Sequence, residues 1–288
     1  MQRFKIGAIT DEFSPDIGIA AQSMASLGME CSELRMVFGK NIIDLTDDEI
    51  DRALAIVESH SLPVVSIASP LLKCTLPEAP ETDERFQQDA FASKHSFEDQ
   101  PHLTRRAFEI AHRTGARIIR VFTYWRTVDP PAVFDRVLEA LSNLAALAAR
   151  EDLIIGLENE HACNIATAAE TRKVLDGLDH PALKVVWDPA NAYVSGEVPF
   201  PGGYGLLPAS RIAHVHAKDC RLDGHRPLWG PLGECDIDWK GQIDALARDG
   251  YRGYINLETH WGGPGGDKHE ASMICGRNLR KLVEEGTD

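Results

Sequence analysis

The chain has 288 residues, of which 43% are hydrophobic and 26% charged, and its net charge is −14. These values are typical of a globular protein that is long enough for one large barrel or two modest domains. No apolar run approaches the roughly 18 residues that a membrane span requires, so we expect no membrane partner. We also expect no nucleic-acid partner, because a chain with this negative net charge has no excess of Lys and Arg side chains to neutralise the phosphates.

The cysteines and the first residues indicate the cellular compartment of the protein. The opening residues MQRFKIGAIT lack the long apolar segment and the cleavage site of a signal peptide. The six cysteines form no C-x-x-C pair and no zinc-finger spacing; they stand at positions 31, 74, 163, 220, 235 and 275. This pattern is typical of reduced thiols, so we expect a cytoplasmic protein.

Short apolar runs alternate with helical patterns along the chain. Eight runs are predicted to be strands: 4–9, 29–36, 63–69, 116–124, 153–159, 182–188, 211–219 and 253–259. Between them, Thr46 with Glu49 and Thr167 with Glu170 have the spacing of capping boxes, which predicts helix starts. Residues 130–150 carry one apolar stripe at helical spacing.

Eight strand–helix units in a chain of this length predict a single (β/α)8 TIM-barrel domain over residues 1–288. Two long loops follow the third and seventh strands, at about 70–97 and 219–239, on the face where such barrels carry active sites. The alternative is a doubly wound open sheet. It normally has a glycine-rich turn after its first strand, and AITDEFS has none.

Strand alternation places one metal-compatible side chain at the inner end of each of four successive strands: Glu158, Asp188, His216 and Glu258. Three carboxylates that converge on one barrel mouth would repel each other unless a cation lay between them. The set suits one divalent ion, Mn²⁺, Mg²⁺ or Co²⁺, with Zn²⁺ as a further candidate. The alternative is a hydrogen-bonded polar core without an ion.

Several segments, in this order, resemble the xylose isomerase-like TIM-barrel superfamily: GLENEH, VWDPANAY, RIAHVHAKD, LGECDIDW and GYINLETHW. The opening IGAITDEFSPD is similar to the sugar phosphate isomerase/epimerase branch. The superfamily comprises sugar isomerases and epimerases, inosose dehydratases, hydroxypyruvate isomerases and endonuclease IV.

The resemblance implies that the four residues hold one divalent ion and that Glu158 and Glu258 also act as catalytic acid and base. The expected activity is that of an isomerase or epimerase, which moves a proton through an enediolate on a small keto-sugar, polyol or sugar acid. A metal-dependent dehydratase of the inosose or dehydroshikimate type is the alternative. A DNA repair endonuclease is disfavoured by the charge and by Asn191, which stands where that nuclease has a histidine ligand. A carbohydrate sensor without catalysis is a further alternative, and the resemblance also implies a possible homodimer.

Further residues are candidates for the substrate site. Lys218 stands two residues after His216, so strand alternation points its side chain into the barrel above that histidine. It is expected either to bind a substrate oxygen or to be solvated at the start of the loop. Arg35 is expected to contact substrate or to pair with Glu33, with which it shares a parity. His214, one inward step below His216, is expected to support the metal site from behind. Three more side chains are expected to contact substrate: Asn191, Arg221 and Trp229.

Overall fold

The computed structural model describes residues 4–86 and 94–285. Its strands are, in chain order, β1 (Lys5–Ile9), β2 (Cys31–Leu34), β3 (Met36–Val37), β4 (Lys40–Asn41), β5 (Val64–Leu71), β6 (Ile118–Val121), β7 (Ile154–Glu158), β8 (Leu183–Trp187), β9 (Ile212–Ala217), β10 (Asp219–Asp223), β11 (Arg226–Gly230) and β12 (Tyr254–Leu257). The α-helices are α1 (Ile17–Ser26), α2 (Asp47–Ser59), α3 (Gln100–Thr114), α4 (Phe134–Arg150), α5 (Ala168–Gly177), α6 (Pro189–Val194), α7 (Trp239–Arg248) and α8 (Lys268–Glu285).

Eight of the strands close a parallel barrel, in the order β1, β12, β9, β8, β7, β6, β5, β2. Each of the eight predicted strands overlaps one of these barrel strands, so the (β/α)8 prediction is confirmed. The open doubly wound sheet is excluded because β1 and β12 pair and leave the barrel no open edge.

The helices begin largely where the sequence predicts. Thr46 and Thr167 each accept a hydrogen bond from the backbone of the glutamate three residues later, and both capping boxes are complete. The segment predicted as helix over 130–150 begins with a 3₁₀ turn at Pro130–Val133, and α4 follows it. The predicted stripe of α4 is buried against the barrel.

Alternation along the strands separates the apolar layer from the barrel interior. Ile155 and Leu157 of β7 are fully buried in the layer between strands and helices. Gly156, of the opposite parity, lies inside the barrel, where an added Cβ would be 2.8 Å from Cγ2 of Val186. Side chains of the neighbouring strands therefore fill the barrel interior at the level of Gly156, below Glu158.

Both predicted long loops follow strand ends on the same face. The first runs from β5 to α3, and part of it, residues 87–93, lies outside the described residues. The second contains the antiparallel hairpin β10–β11. Asp219 orders this loop, because its carboxylate accepts hydrogen bonds from the backbone N–H groups of Cys220, Gly233, Cys235 and Ile237.

Within the described ranges, no helix has both the length and the apolar character needed to cross a membrane. The six cysteines all lie in these ranges, and none of them forms a disulfide.

Candidate metal centre

Four neighbouring strands bring the predicted ligand set together. The strands β7, β8, β9 and β12 are consecutive in the barrel, and their upper ends carry Glu158, Asp188, His216 and Glu258. One ligand atom of each residue lies within 4.8 Å of the ligand atoms of the other three. All four side chains are buried, with at most 4% of any residue exposed.

The atoms of this cluster fit a divalent ion. Nδ1 of His216 lies 3.2 Å from Oε1 of Glu158 and 3.5 Å from Oε2 of Glu258. Among the described residues, Oε2 of Glu158 and Oδ2 of Asp188 are buried and accept no hydrogen bond of good geometry; Arg120 lies 3.3 Å from the first oxygen and Lys218 lies 2.8 Å from the second. Buried carboxylates that converge repel each other, and a divalent ion between them would offset this repulsion together with these cationic side chains. Three carboxylates and one imidazole are ligands for a hard or borderline ion.

Lys218 lies within the cluster. Its Nζ is 2.8 Å from Oδ2 of Asp188 and 2.9 Å from Oε2 of Glu258, and the residue is 1% exposed. The alternative of a solvated lysine is therefore wrong. Burial alone would lower the pKa of Lys218, but Asp188 and Glu258 raise this pKa well above its ordinary value.

Two arginines compensate the same carboxylates. Arg35 is buried, and its guanidinium contacts Glu258 at 3.0 Å together with Asp11 and Glu12, which follow β1. Arg120 of β6 lies 3.3 Å from Oε2 of Glu158. Burial would raise the pKa of Glu258, but the neighbouring cations, Lys218 first among them, lower this pKa well below its usual range. Glu258 is therefore held as an anion.

A second polar layer lies one step deeper in the barrel. Oε2 of Glu33 is 2.9 Å from Nε2 of His214 and 3.0 Å from Nε2 of His216. His214 thus reaches the cluster through Glu33. Burial would raise the pKa of Glu33, but the two imidazoles lower it well below its usual value. The sequence placed Glu33 inside the barrel but did not assign it to His216, because β2 and β9 are not neighbours in the sheet.

Asn191 joins the cluster to a histidine that the sequence did not predict. Its Nδ2 donates to Oε1 of Glu158 at 3.3 Å, and its Oδ1 lies 3.0 Å from Nδ1 of His161. Burial would lower the pKa of His161, but the carboxylate of Glu160, at 2.8 Å, raises it. Glu160 and His161 both belong to the segment GLENEH. They follow the end of β7, where strand alternation no longer predicts which way a side chain points.

The β10–β11 hairpin covers the cluster with Trp229. The Trp229 ring lies 4.7 Å from the ring of His260, and Nζ of Lys218 lies 5.7 Å from its centre. Arg221 faces away, which corrects its expected substrate contact. It is paired across the hairpin with the exposed Leu228, on the ribbon face opposite Trp229, and its guanidinium binds the Glu234 carbonyl and Asp236.

A closed (β/α)8 barrel with a buried carboxylate–imidazole cluster at the carboxyl ends of its strands is typical of TIM-barrel proteins that can hold a divalent ion there. Residues 21–279 match the family described as xylose isomerase-like TIM barrel, and the chain belongs to that family.

Individual relatives show what the chain resembles. It is 25% identical to an inosose dehydratase of Lactiplantibacillus plantarum over 170 residues, which cover 53% of this chain and 55% of that protein. The match thus spans about half the length of this curated relative. The fold is similar to that of the IolI protein solved with a bound zinc atom, with a TM-score of 0.74, 15% identity and full coverage of both chains. A D-allulose 3-epimerase from Methylomonas sp. gives a TM-score of 0.69 at 18% identity over 99% of each chain.

Proposed function

We propose that the protein is a divalent-metal-dependent isomerase or epimerase that moves a proton through an enediolate on a small keto-sugar, polyol or sugar acid. The observation that carries this proposal is that Glu158 and Glu258 flank His216 in one cluster. A divalent ion held by these residues and Asp188 would stabilise the negative charge that develops on the substrate oxygens. Mn²⁺, Mg²⁺ and Co²⁺ are candidates, and the zinc atom of the IolI protein supports Zn²⁺ as a further one.

The two glutamates are the proposed proton carriers. One takes the proton from the carbon beside the substrate carbonyl, and the other delivers a proton to a neighbouring position or to the opposite face. Their surroundings differ, because Arg35 and Lys218 hold Glu258 as an anion, whereas Glu158 accepts a hydrogen bond from the amide of Asn191.

The walls of the mouth are the proposed substrate site. Lys218 and Arg35 supply positive charge beside the carboxylates of the cluster, Asn191 supplies an amide, and Trp229 supplies an apolar surface. These groups suit a small molecule with several hydroxyl groups and a carbonyl group.

A metal-dependent dehydratase is the second candidate. The inosose dehydratase relative favours it, and so does His161. This imidazole is part-exposed at the mouth, and its raised pKa makes it a proton donor for a departing hydroxide. Elimination would use the same initial removal of a proton beside the carbonyl.

The proposal predicts that Glu158→Gln lowers kcat by about 10³-fold, because an amide cannot accept the substrate proton. The protein is incubated in D₂O with each of the four ions and a panel of keto-sugars, polyols and sugar acids. The reaction is stopped with EDTA, and the products are analysed by mass spectrometry. The surface substitution Glu139→Gln serves as the control and keeps wild-type turnover.

The products distinguish the two candidates. An isomer that carries solvent deuterium indicates an isomerase or epimerase, whereas loss of water with a new enone absorbance indicates a dehydratase. Tight metal binding without any exchange of carbon-bound hydrogen across the panel would contradict both.

A further inference from the structure

Glu33 is a buried carboxylate of β2 that lies below the ligand cluster. It is fully shielded from solvent, and four side chains contact it. Oε1 accepts a hydrogen bond from Ser66 at 2.9 Å. Oε2 accepts one from Asn256 at 3.2 Å and lies within 3.0 Å of both His214 and His216. Both of its oxygens are therefore satisfied by side chains of the barrel interior.

These contacts determine which nitrogen of His216 keeps its hydrogen when an ion is bound. An ionised carboxylate only accepts hydrogen bonds, so each imidazole that contacts Glu33 does so through Nε2–H. Nδ1 of His216 is the atom that faces Glu158 and Glu258. A divalent ion between these carboxylates would take the place of hydrogen on Nδ1 and use its lone pair, while Nε2–H stays on Glu33.

We infer that Glu33 is a positioning residue for the metal centre, which holds the His216 ring so that the Nδ1 lone pair points to the ion. The inference rests on the proposed function, because it presupposes the ion. Carboxylates behind histidine ligands fix the tautomer and ring orientation and raise the basicity of the ligand. His214 and Asn256 contact Oε2, the oxygen that faces His216, whereas Ser66 contacts only Oε1.

The inference predicts that Glu33→Gln weakens Co²⁺ binding by about 10- to 100-fold, as is usual when such a carboxylate is lost. Glutamine removes the negative charge that raises the basicity of His216, and its NH₂ group donates a hydrogen bond where the carboxylate accepts one from Ser66. The metal-free protein is titrated with Co²⁺ alone, and the dissociation constant and the visible absorption spectrum are measured.

The spectrum separates positioning from a purely structural role, because Co²⁺ absorption depends on the orientation and identity of its ligands. We expect Glu33→Gln to shift the bands, and Ser66→Ala, which removes one donor but leaves the carboxylate, to retain the wild-type bands and an affinity within about threefold. A further variant, Glu33→Asp, keeps the charge but shortens the side chain. It is expected to bind with intermediate affinity, and it provides the test if Glu33→Gln does not fold.

The outcomes distinguish this inference from the proposed function. Wild-type affinity and spectrum in both Glu33 variants would overturn the positioning role and leave the proposed function standing. A wild-type protein that binds none of the candidate ions would overturn both. A shift in affinity and spectrum in a protein without isomerase or dehydratase activity would support the positioning role and contradict the proposed function.

Discussion

At the scale of single residues, Lys218 determines how the cluster behaves without an ion. Its ammonium lies within 3 Å of Asp188 and Glu258, both buried, and offsets their negative charge. Removing one partner of a buried ion pair leaves an uncompensated charge, which costs far more than the loss of a surface pair.

We predict that Lys218→Met lowers the unfolding free energy of the metal-free protein by about 3 kcal/mol. Saturating Co²⁺ recovers at least half of this loss, because the ion then neutralises the same carboxylates. Urea unfolding in EDTA and in Co²⁺ measures both values. The exposed pair of Lys240 with Asp244 provides the control, since Lys240→Met is expected to leave both curves unchanged. Equal losses for Lys218→Met with and without the ion would contradict this account.

At the scale of elements, the β10–β11 hairpin is an ordered cover for the mouth. The Asp219 hydrogen bonds tie its base to the turn that follows, and Trp229 lies over Lys218 and against His260. Because side chains alternate across the ribbon, Leu228 points to solvent next to Trp229.

We predict that Trp229→Ala raises KM about tenfold, since an apolar contact of this size contributes about 1–3 kcal/mol to binding. Co²⁺ affinity stays at the wild-type value, because the indole is not a ligand. Steady-state kinetics with the substrate that the D₂O experiment identifies measure KM, and a Co²⁺ titration measures the metal affinity. Leu228→Ala, on the other face of the hairpin, is the matched control with unchanged KM. A lower kcat at unchanged KM would instead assign Trp229 to the chemical step.

At the scale of the whole molecule, the ligand cluster joins four consecutive barrel strands, β7, β8, β9 and β12, and the closed sheet connects them to the other four. Because one closed sheet and one continuous apolar core connect these elements, we expect the single domain predicted over residues 1–288 to unfold in one transition. We predict that an ion at 100 times its dissociation constant stabilises the fold by about 2.7 kcal/mol. For a chain of this length that corresponds to a rise of about 4 °C in Tm. Calorimetry with and without EDTA measures this rise in Tm. Two unfolding transitions, of which only one shifts to higher temperature with the ion, would contradict unfolding as a single unit.

The sequence predicted the barrel and the direction of its inward side chains, because alternation in a strand depends only on local backbone geometry. Glu158, Asp188, His216 and Glu258 follow from this rule, and so does the interior position of Glu33. The contact between Glu33 and His216 does not follow, since it crosses the barrel and depends on its radius and stagger. Arg221 was misplaced for a related reason. The orientation of a hairpin beyond the strand end depends on tertiary contacts, here those of Asp219 and Trp229.

The ligand cluster lies on one half of the barrel wall, formed by β7, β8, β9 and β12, while the loops after β1, β2, β5 and β6 border the other half. The proposed substrate groups come from both halves, because Asn191, Lys218 and Trp229 follow β8 and β9, whereas Arg35 follows β2. Substitutions in the loops after β1, β2, β5 and β6 would reshape one side of the mouth while the ligand set is retained. Directed evolution toward other substrates should therefore begin with those four loops.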